Sequence, residues 1–149
     1  EKIVRGRRMY KIVYISNHNV ELVTEFLKGC KKSLETFRYY NKRSIEEAVQ
    51  NHEVTIVSIL DDEVVGYGHL DPEADNMWLG ICVADNYVGM GLGKVLMREL
   101  LKNVGQNIVL TVDNNNTGAI SLYEKFGFVK KQNLDKMLLM EKPYENTDI

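Results

Sequence analysis

The feature that most constrains this chain is a run of glycines at alternate positions, Gly89, Gly91 and Gly93, between two apolar stretches. Residues 77–83 are rich in apolar and β-branched side chains and predict a strand, whereas residues 92–103 repeat apolar side chains at helical spacing and predict a helix. Glycines at such a turn leave backbone N–H groups uncovered, at the positive end of the helix dipole. The pattern therefore predicts a loop that binds the phosphates of a cofactor.

The spacing of this loop excludes two common nucleotide-binding motifs. A dinucleotide fingerprint needs G-x-G-x-x-G early in a βαβ unit, but Lys94 stands where the third glycine is required. A P-loop needs glycine at the position of Val88 and Ser or Thr at the position of Val95. A glycine-rich turn without any ligand is the structural alternative.

A second motif lies downstream, in residues 116–128. It follows a short β-like run at residues 108–112 and begins at Asn116, a residue type that favours the N-cap of a helix. Apolar side chains then share one helical face, and Gly127 occupies the position where a left-handed residue ends many helices. The sequence therefore predicts a second strand–turn–helix unit.

Together, the two segments resemble the GCN5-related N-acetyltransferase (GNAT) superfamily. The family's acetyl-CoA motif, Q/R-x-x-G-x-G/A, corresponds to residues 88–93, and its N-x-x-A-x-x-L-Y-x-x-x-G-F element corresponds to residues 116–128. The resemblance extends over residues 54–141. It departs from the family at Val88, where Gln or Arg is usual, and the loss of one hydrogen bond there would weaken cofactor binding by about 1 kcal/mol.

The resemblance implies an α/β fold with a central mixed, largely antiparallel twisted sheet and helices on both faces. It implies an acetyl-CoA-dependent N-acetyltransferase that moves the acetyl group directly to a primary amine of a small molecule in a ternary complex. A protein N-acetyltransferase and a non-catalytic acyl-CoA-binding sensor or scaffold are the alternatives. Aromatic residues interleaved with cations at residues 30–43 favour an amino sugar or sugar nucleotide as acceptor, or else belong to an exposed amphipathic helix.

The resemblance also assigns roles to single residues. Cofactor contacts fall on Ile81, Cys82, Val83, Val88, Gly89, Met90, Gly91, Leu92, Gly93, Lys94 and Asn116. Tyr123 corresponds to the general acid that protonates the departing CoA thiolate, and a phenol with a pKa of about 10 holds its proton at neutral pH. A core tyrosine is the structural alternative.

The base that removes the proton of the amine is harder to assign, because residues 77–83 contain no carboxylate. His69 is the best candidate, since it alternates with Val65 and Tyr67 onto one face of a predicted strand and imidazole titrates near neutrality. A structural histidine is the alternative. Glu73 and Asp85 are weaker candidates because both are expected in turns, and a water chain would need no dedicated side chain.

The rest of the chain predicts a conventional set of elements. These are strands at residues 10–15, 54–60, 64–70 and 136–141, helices at residues 20–27 and 44–50, and turns at residues 61–63 and 71–76. Ser16 or Asn19 would cap the first helix, and Ser44 with Glu47 forms a capping box at the second.

Composition sets the remaining expectations. The 149 residues, 44% of them hydrophobic and 27% charged, predict one domain over residues 1–149, with residues 1–8 possible leader or added sequence and residues 143–149 frayed. The net charge of −2 argues against a nucleic-acid partner, and the spacing of Cys30 and Cys82 argues against a metal site. The absence of a long apolar run predicts a cytoplasmic protein without a membrane partner. A homodimer is compatible with the sequence.

Overall fold

The computed structural model describes residues 2–5, 8–102 and 104–145, which form a mixed sheet with helices on both faces. The strands are β1 (Lys2–Arg5), β2 (Arg8–Tyr14), β3 (Val54–Leu60), β4 (Glu63–Glu73), β5 (Asn76–Val83), β6 (Ile108–Asp113), β7 (Val129–Leu134) and β8 (Met137–Lys142). The helices are α1 (Glu21–Lys28), α2 (Ile45–Asn51), α3 (Leu92–Leu100) and α4 (Thr117–Lys125), with short 3-10 helices at Ser33–Glu35, Tyr39–Asn41 and Asp85–Tyr87. None of the helices in these ranges combines the length and apolar character needed to cross a bilayer.

The sheet has the order β1-β2-β3-β4-β5-β6-β8-β7 and is antiparallel except where β5 meets β6. That parallel pairing covers only two positions, Met77 with Ile108 and Trp78 with Val109. Beyond them the strands separate, and the second half of β5 has no strand partner on this side. Backbone groups of an unpaired strand need other partners, so the gap offers hydrogen bonds to a ligand. The predicted mixed, largely antiparallel sheet is confirmed.

Different helices cover the two faces of the sheet, as predicted. One face packs against α3 and α4 in the larger apolar cluster, and the other packs against α1 and the loop that follows it. Two glycines in β4 permit the close approach of α3: a Cβ at Gly68 would lie 2.8 Å from Leu100 Cδ1, and one at Gly66 would lie 3.1 Å from Leu96 Cδ1.

The caps predicted for α1 are wrong. Val20 is the N-cap, and no side chain caps the helix. The amide of Asn19 turns back instead: its Oδ1 accepts from the N–H of Ser16 at 2.8 Å, and its Nδ2 donates to the carbonyl of Tyr14 at 3.0 Å. Asparagine readily forms such local turns, and here the turn leaves no acceptor for the helix.

The predicted cap of α2 is confirmed, because Ser44 Oγ accepts from the N–H of Glu47. Helix α3 ends at Leu100, earlier than predicted. The N–H of Lys102 donates to the carbonyl of Glu99 three residues back, which tightens the chain into a turn. Residue 103, the predicted end, lies outside the described residues.

The turn between β4 and β5 is also shorter than predicted. Strand β4 continues to Glu73, and only Ala74 and Asp75 form the turn, with φ of 52° and 63°. Asp71 therefore lies within the strand, paired with Trp78, and is 7% exposed. The Asp-Pro sequence favours a turn locally, but pairing with β5 outweighs that preference.

The structure describes part of each end of the chain. Lys2–Arg5 forms the edge strand β1 beside β2. Near the other end, the N–H of Tyr144 donates to Asn107 Oδ1 at 2.7 Å. The remaining end residues, 1, 6, 7 and 146–149, lie outside the described residues.

Candidate active site

A cavity of about 980 Å³ follows the gap between β5 and β6. The second half of β5, the end of β6, the glycine loop, the first turns of α3 and α4 and the loop after α1 line it. Of the predicted site residues it brings together His69, Ile81, Cys82, Val83, Val88, Gly89, Gly91, Leu92, Gly93, Lys94, Asn116 and Tyr123. Met90 does not line the cavity, because it lies between two left-handed glycines with its side chain 42% exposed.

The glycine loop depends on backbone conformations that other residues rarely adopt. Gly89 and Gly91 have φ of 86° and 82°, and Gly91 is the N-cap of α3. A Cβ at either position would meet no atom of the described residues within 4 Å, so this side of the loop is open to that distance. Gly93 differs, since a Cβ there would lie 3.1 Å from Leu122 Cδ2 on α4. The first two glycines thus shape an open backbone at a helix N-terminus, and the third permits helix packing.

Tyr123 lies on α4 at the inner wall of the cavity. It is 8% exposed, and its ring packs against Phe128 with 5.9 Å between centroids. Burial, followed by the neighbouring Cys82 thiol, raises the pKa of Tyr123 to about 12. The phenol therefore keeps its proton throughout the neutral range and can donate it. Asn116 caps the same helix by accepting from the N–H of Ala119 at 3.3 Å.

His69 is buried with its ring over Gly80 of β5. A Cβ at Gly80 would lie 2.6 Å from the imidazole, so glycine is needed there to make room. His69 Nδ1 lies 2.7 Å from the Tyr67 hydroxyl, which in turn lies 2.5 Å from the Tyr40 hydroxyl. Burial holds the pKa of His69 well below its usual value, so the ring is neutral near pH 7. Val65 does not lie on the same face of β4 as Tyr67 and His69. The register of the β3–β4 pairing shifts between Val64 and Gly66, so the alternation of side chains is interrupted at Val65.

Asp71 is a cavity residue that the sequence placed in a turn. Its Oδ2 accepts from the Tyr39 hydroxyl at 2.7 Å, and that hydroxyl lies 2.7 Å from His52 Nε2. His52 Nδ1 lies 2.8 Å from Thr55 Oγ1. One proton arrangement satisfies all three bonds: Thr55 donates to His52, His52 to Tyr39, and Tyr39 to Asp71. Burial lowers the pKa of His52 to about 4, which keeps it in the neutral form that this arrangement requires.

Part of the cavity wall is aromatic, with Phe37, Tyr39 and Trp78 in it. Its two arginines are engaged by other groups. Arg38 forms an ion pair with Asp113 at 2.8 Å, and the Arg43 guanidinium lies 4.1 Å from the Tyr39 ring centroid. Arg43 also donates to the carbonyl of Tyr39 at 2.9 Å. These bonds hold the loop after α1 against the sheet.

Asp85, a weak candidate for the base, instead fixes this loop. Its carboxylate accepts from the N–H groups of Ser33, Lys32 and Lys31 at 2.8, 2.8 and 2.9 Å. Ser33 Oγ also donates to the carbonyl of Val83 at 2.7 Å. The bonds from Ser33, Lys32 and Lys31 hold the pKa of Asp85 well below its usual value. A carboxylate engaged in this way ties the loop after α1 to the end of β5.

Comparison with known proteins agrees with this geometry. The model of the acetyltransferase (GNAT) family matches residues 20–128. The chain is 30% identical over 109 residues to the spermine/spermidine N(1)-acetyltransferase of Bacillus subtilis (strain 168), a match that covers 63% of this chain and 72% of that protein.

Two solved structures share the fold. The ribosomal-protein-S18-alanine N-acetyltransferase from Escherichia coli superposes with a TM-score of 0.68 at 18% identity, covering 95% of this chain and 99% of that one. The PaiA N-acetyltransferase from Thermoplasma acidophilum, in complex with coenzyme A, gives a TM-score of 0.66 at 20% identity, with 91% and 99% covered. The divergent strands, the glycine loop and the family match lead to one conclusion: the chain belongs to the GNAT family and is an N-acetyltransferase.

Proposed function

We propose that this protein transfers the acetyl group of acetyl-CoA directly to a primary amine of a small molecule. The observation that supports this most is the separation of β5 from β6 beside a left-handed glycine loop, with the protonated phenol of Tyr123 in the same cavity. A solved structure of the same fold is a complex with coenzyme A, which supports the choice of cofactor.

The residues present fit a CoA thioester. The unpaired half of β5, which includes Ile81 and Val83, offers backbone hydrogen bonds to an extended pantetheine arm. The open backbone at Gly89 and Gly91 suits the diphosphate, and Lys94 adds a positive charge at the same end of the cavity. Val88 is 66% exposed and contributes no hydrogen-bond donor from its side chain. Acetyl-CoA would supply the reactive thioester carbonyl.

Two protons must move during the transfer. Tyr123 donates a proton to the departing sulfur, a role for which its raised pKa leaves it protonated. His69 accepts a proton from the amine through Nε2. This requires the tautomer in which His69 Nδ1–H donates to the Tyr67 hydroxyl, which in turn donates to the Tyr40 hydroxyl. Because the pKa of His69 is low, it is a weak base, and we expect the rate to rise with pH as the free amine becomes available.

The acceptor side favours an amine over a phosphorylated ligand. Arg38 and Arg43 are already engaged with Asp113 and Tyr39, so neither is free to bind the diphosphate of a sugar nucleotide. The sequence relative in Bacillus subtilis is named for spermine and spermidine, which are small primary amines. An amino sugar is an acceptor of the same chemical class and is included in the test.

The test is acetyl transfer measured by release of CoA thiol, with a panel containing spermidine, glucosamine, an amino acid and a peptide with an N-terminal alanine. Thermal unfolding with acetyl-CoA, and with NADH as the control ligand, measures cofactor binding in parallel. A ligand at about 100 times its Kd stabilises a protein by about 2.7 kcal/mol, which moves Tm by several degrees.

Acetylation of a small amine supports the proposal. Acetylation of the peptide alone would identify a protein N-acetyltransferase instead. Stabilisation by acetyl-CoA without any turnover would favour the non-catalytic binding module, and no stabilisation at saturating acetyl-CoA would contradict the cofactor assignment.

A further inference from the structure

One buried carboxylate in the cavity wall has no cation beside it. Asp71 is 7% exposed and lines the cavity, yet within the described ranges no lysine, arginine or histidine forms an ion pair with it. Arg43 reaches Glu73 at 3.9 Å and stacks on Tyr39 instead. A buried carboxylate is costly unless a positive charge or several hydrogen bonds compensate for it. Among the described residues, Asp71 therefore has no ion-pair partner.

The hydrogen bonds around Asp71 hold one of its oxygens and leave the other available. Oδ2 accepts from Tyr39, whose hydroxyl is held in turn by His52. Oδ1 accepts no hydrogen bond from any described residue, and it is not fully enclosed by protein atoms. A chain of donors that ends at a carboxylate fixes its position, so Oδ1 is a preorganised acceptor at the cavity wall.

The surroundings of this oxygen suit an organic cation. Trp78 pairs with Asp71 across the two strands and lines the cavity beside it, whereas the Tyr39 ring already carries the Arg43 guanidinium. Aromatic faces together with a carboxylate attract ammonium groups through cation–π contacts and charge-assisted hydrogen bonds. The neutral histidines nearby, His52 and His69, add no positive charge near pH 7, and the guanidinium of Arg43 is engaged with Glu73 and the Tyr39 ring.

We propose that Asp71 binds a second, unreacting ammonium group of the acceptor, which makes the enzyme selective for diamines and polyamines over monoamines. This rests on the proposed acetylation of a small amine. His69, which accepts the proton of the reacting amine in the proposed reaction, lies two residues before Asp71 in β4. At roughly 3.3 Å per strand residue the reacting amine and the second ammonium group are about 7 Å apart, a separation that a diamine spans.

The first experiment needs only the wild-type protein. Acetyl-transfer rates are measured for α,ω-diamines of increasing chain length and for n-alkylamines of matched length. We expect kcat/KM for the diamines that span the two groups to exceed that of their matched monoamines by roughly tenfold to a hundredfold, the contribution of one charge-assisted contact. Equal values for diamines and monoamines at every chain length would overturn the proposal.

The second experiment compares Asp71→Asn with Asp75→Asn, which removes a carboxylate from the exposed turn of the same hairpin. The ratio of diamine to monoamine kcat/KM should fall toward one in Asp71→Asn and stay at the wild-type value in Asp75→Asn. An unchanged ratio in Asp71→Asn, with both amines slowed equally, would mean that Asp71 acts on the reaction and not on the second charge.

A binding measurement keeps the subsite separate from the proposed function. Thermal unfolding of the wild-type protein with a long diamine, and with the matched monoamine, detects the subsite even when no amine is acetylated. Greater stabilisation by the diamine supports the subsite, and equal stabilisation contradicts it. If Asp71→Asn does not fold, Tyr39→Phe replaces it, because it removes the hydroxyl that positions Asp71 and should reduce the same ratio.

Discussion

At the scale of single residues, the site combines groups that burial keeps in one protonation state with backbone positions that suit only glycine. Tyr123 remains protonated and His69 and His52 remain neutral because each is removed from water. Gly89 and Gly91 hold left-handed conformations that a larger residue would strain. Each of these features is testable by one substitution.

Replacing Tyr123 with Phe removes the hydroxyl while keeping the ring that packs on Phe128. We expect kcat to fall by about tenfold or more, since a positioned general acid contributes at least this much, with acetyl-CoA binding nearly unchanged. Steady-state kinetics and thermal shifts with acetyl-CoA measure the two effects, with Tyr144→Phe, an exposed tyrosine, as the control. Equal kcat in the variant and the wild type would remove Tyr123 from the mechanism.

Replacing Gly91 with Val tests the glycine loop. A β-branched side chain at φ of 82° costs about 1–2 kcal/mol in backbone strain and covers the open backbone of the loop. We expect acetyl-CoA to lose its stabilising effect in thermal unfolding. Gly105→Val, at a glycine with ordinary φ and no neighbour within 4 Å of a Cβ, is the matched control. Unchanged acetyl-CoA affinity in Gly91→Val would contradict a phosphate-binding role for the loop.

At the scale of elements, hydrogen bonds and an ion pair hold the loop after α1 to the sheet. Asp85 accepts three backbone N–H groups at the start of the 3-10 helix Ser33–Glu35, and Arg38 pairs with Asp113 at its far side. The loop carries Phe37 and Tyr39 into the cavity wall, so we expect its position to affect binding of the amine more than binding of acetyl-CoA.

Replacing Asp85 with Ala releases this loop. We expect KM for the amine to rise severalfold and KM for acetyl-CoA to change less. The reason is that the three lost bonds, one of them from the N–H of Ser33, fix the loop after α1 to the end of β5. Asp62→Asn, at an exposed turn position that tolerates asparagine, is the control. A larger effect on acetyl-CoA than on the amine would place Asp85 with the cofactor loop instead.

At the scale of the whole molecule, two histidines buried in neutral form make stability depend on pH. The pKa of His52 is about 4 in the folded state and 6.5 in its ordinary state, and the shift of His69 has the same direction. Between these values the unfolded chain binds more protons than the folded one, so the free energy of unfolding falls as pH is lowered from about 6.5. The contribution of Asp85, whose pKa is lowered from 3.8, is lost only at more acidic pH.

Thermal unfolding at a series of pH values measures this dependence. We expect Tm to decline from about pH 6.5 downward, and His52→Gln to flatten part of the decline because the uncharged side chain has no proton to gain. The exposed His18→Gln variant is the control and should follow the wild-type curve. A wild-type Tm that is constant between pH 6.5 and 4.5 would contradict the burial of neutral histidines.

Some parts of the molecule follow from local sequence, and others do not. Runs of apolar and β-branched residues predicted the strands β3 to β6, and β3 and β4 are in fact buried on both faces. The capping box at Ser44 and the N-cap at Asn116 predicted the starts of helices α2 and α4. The pattern of β7 is uninformative, since all six of its residues are exposed and its pairing with β8 uses the backbone. Edge strand β1 lies in a stretch whose sequence predicts no element.

The sequence by itself determined the family, the fold class and the conformation of the glycine loop, because two motifs with fixed glycine and asparagine positions encode local backbone geometry. Only the tertiary structure decided which side chains meet in the acceptor cavity. Asp71 lies in a strand because pairing with Trp78 outweighs the local preference of Asp-Pro for a turn, and its partners Tyr39 and His52 come from a distant loop and helix end. Contacts of this kind depend on how the faces of the sheet are covered, which no local pattern specifies.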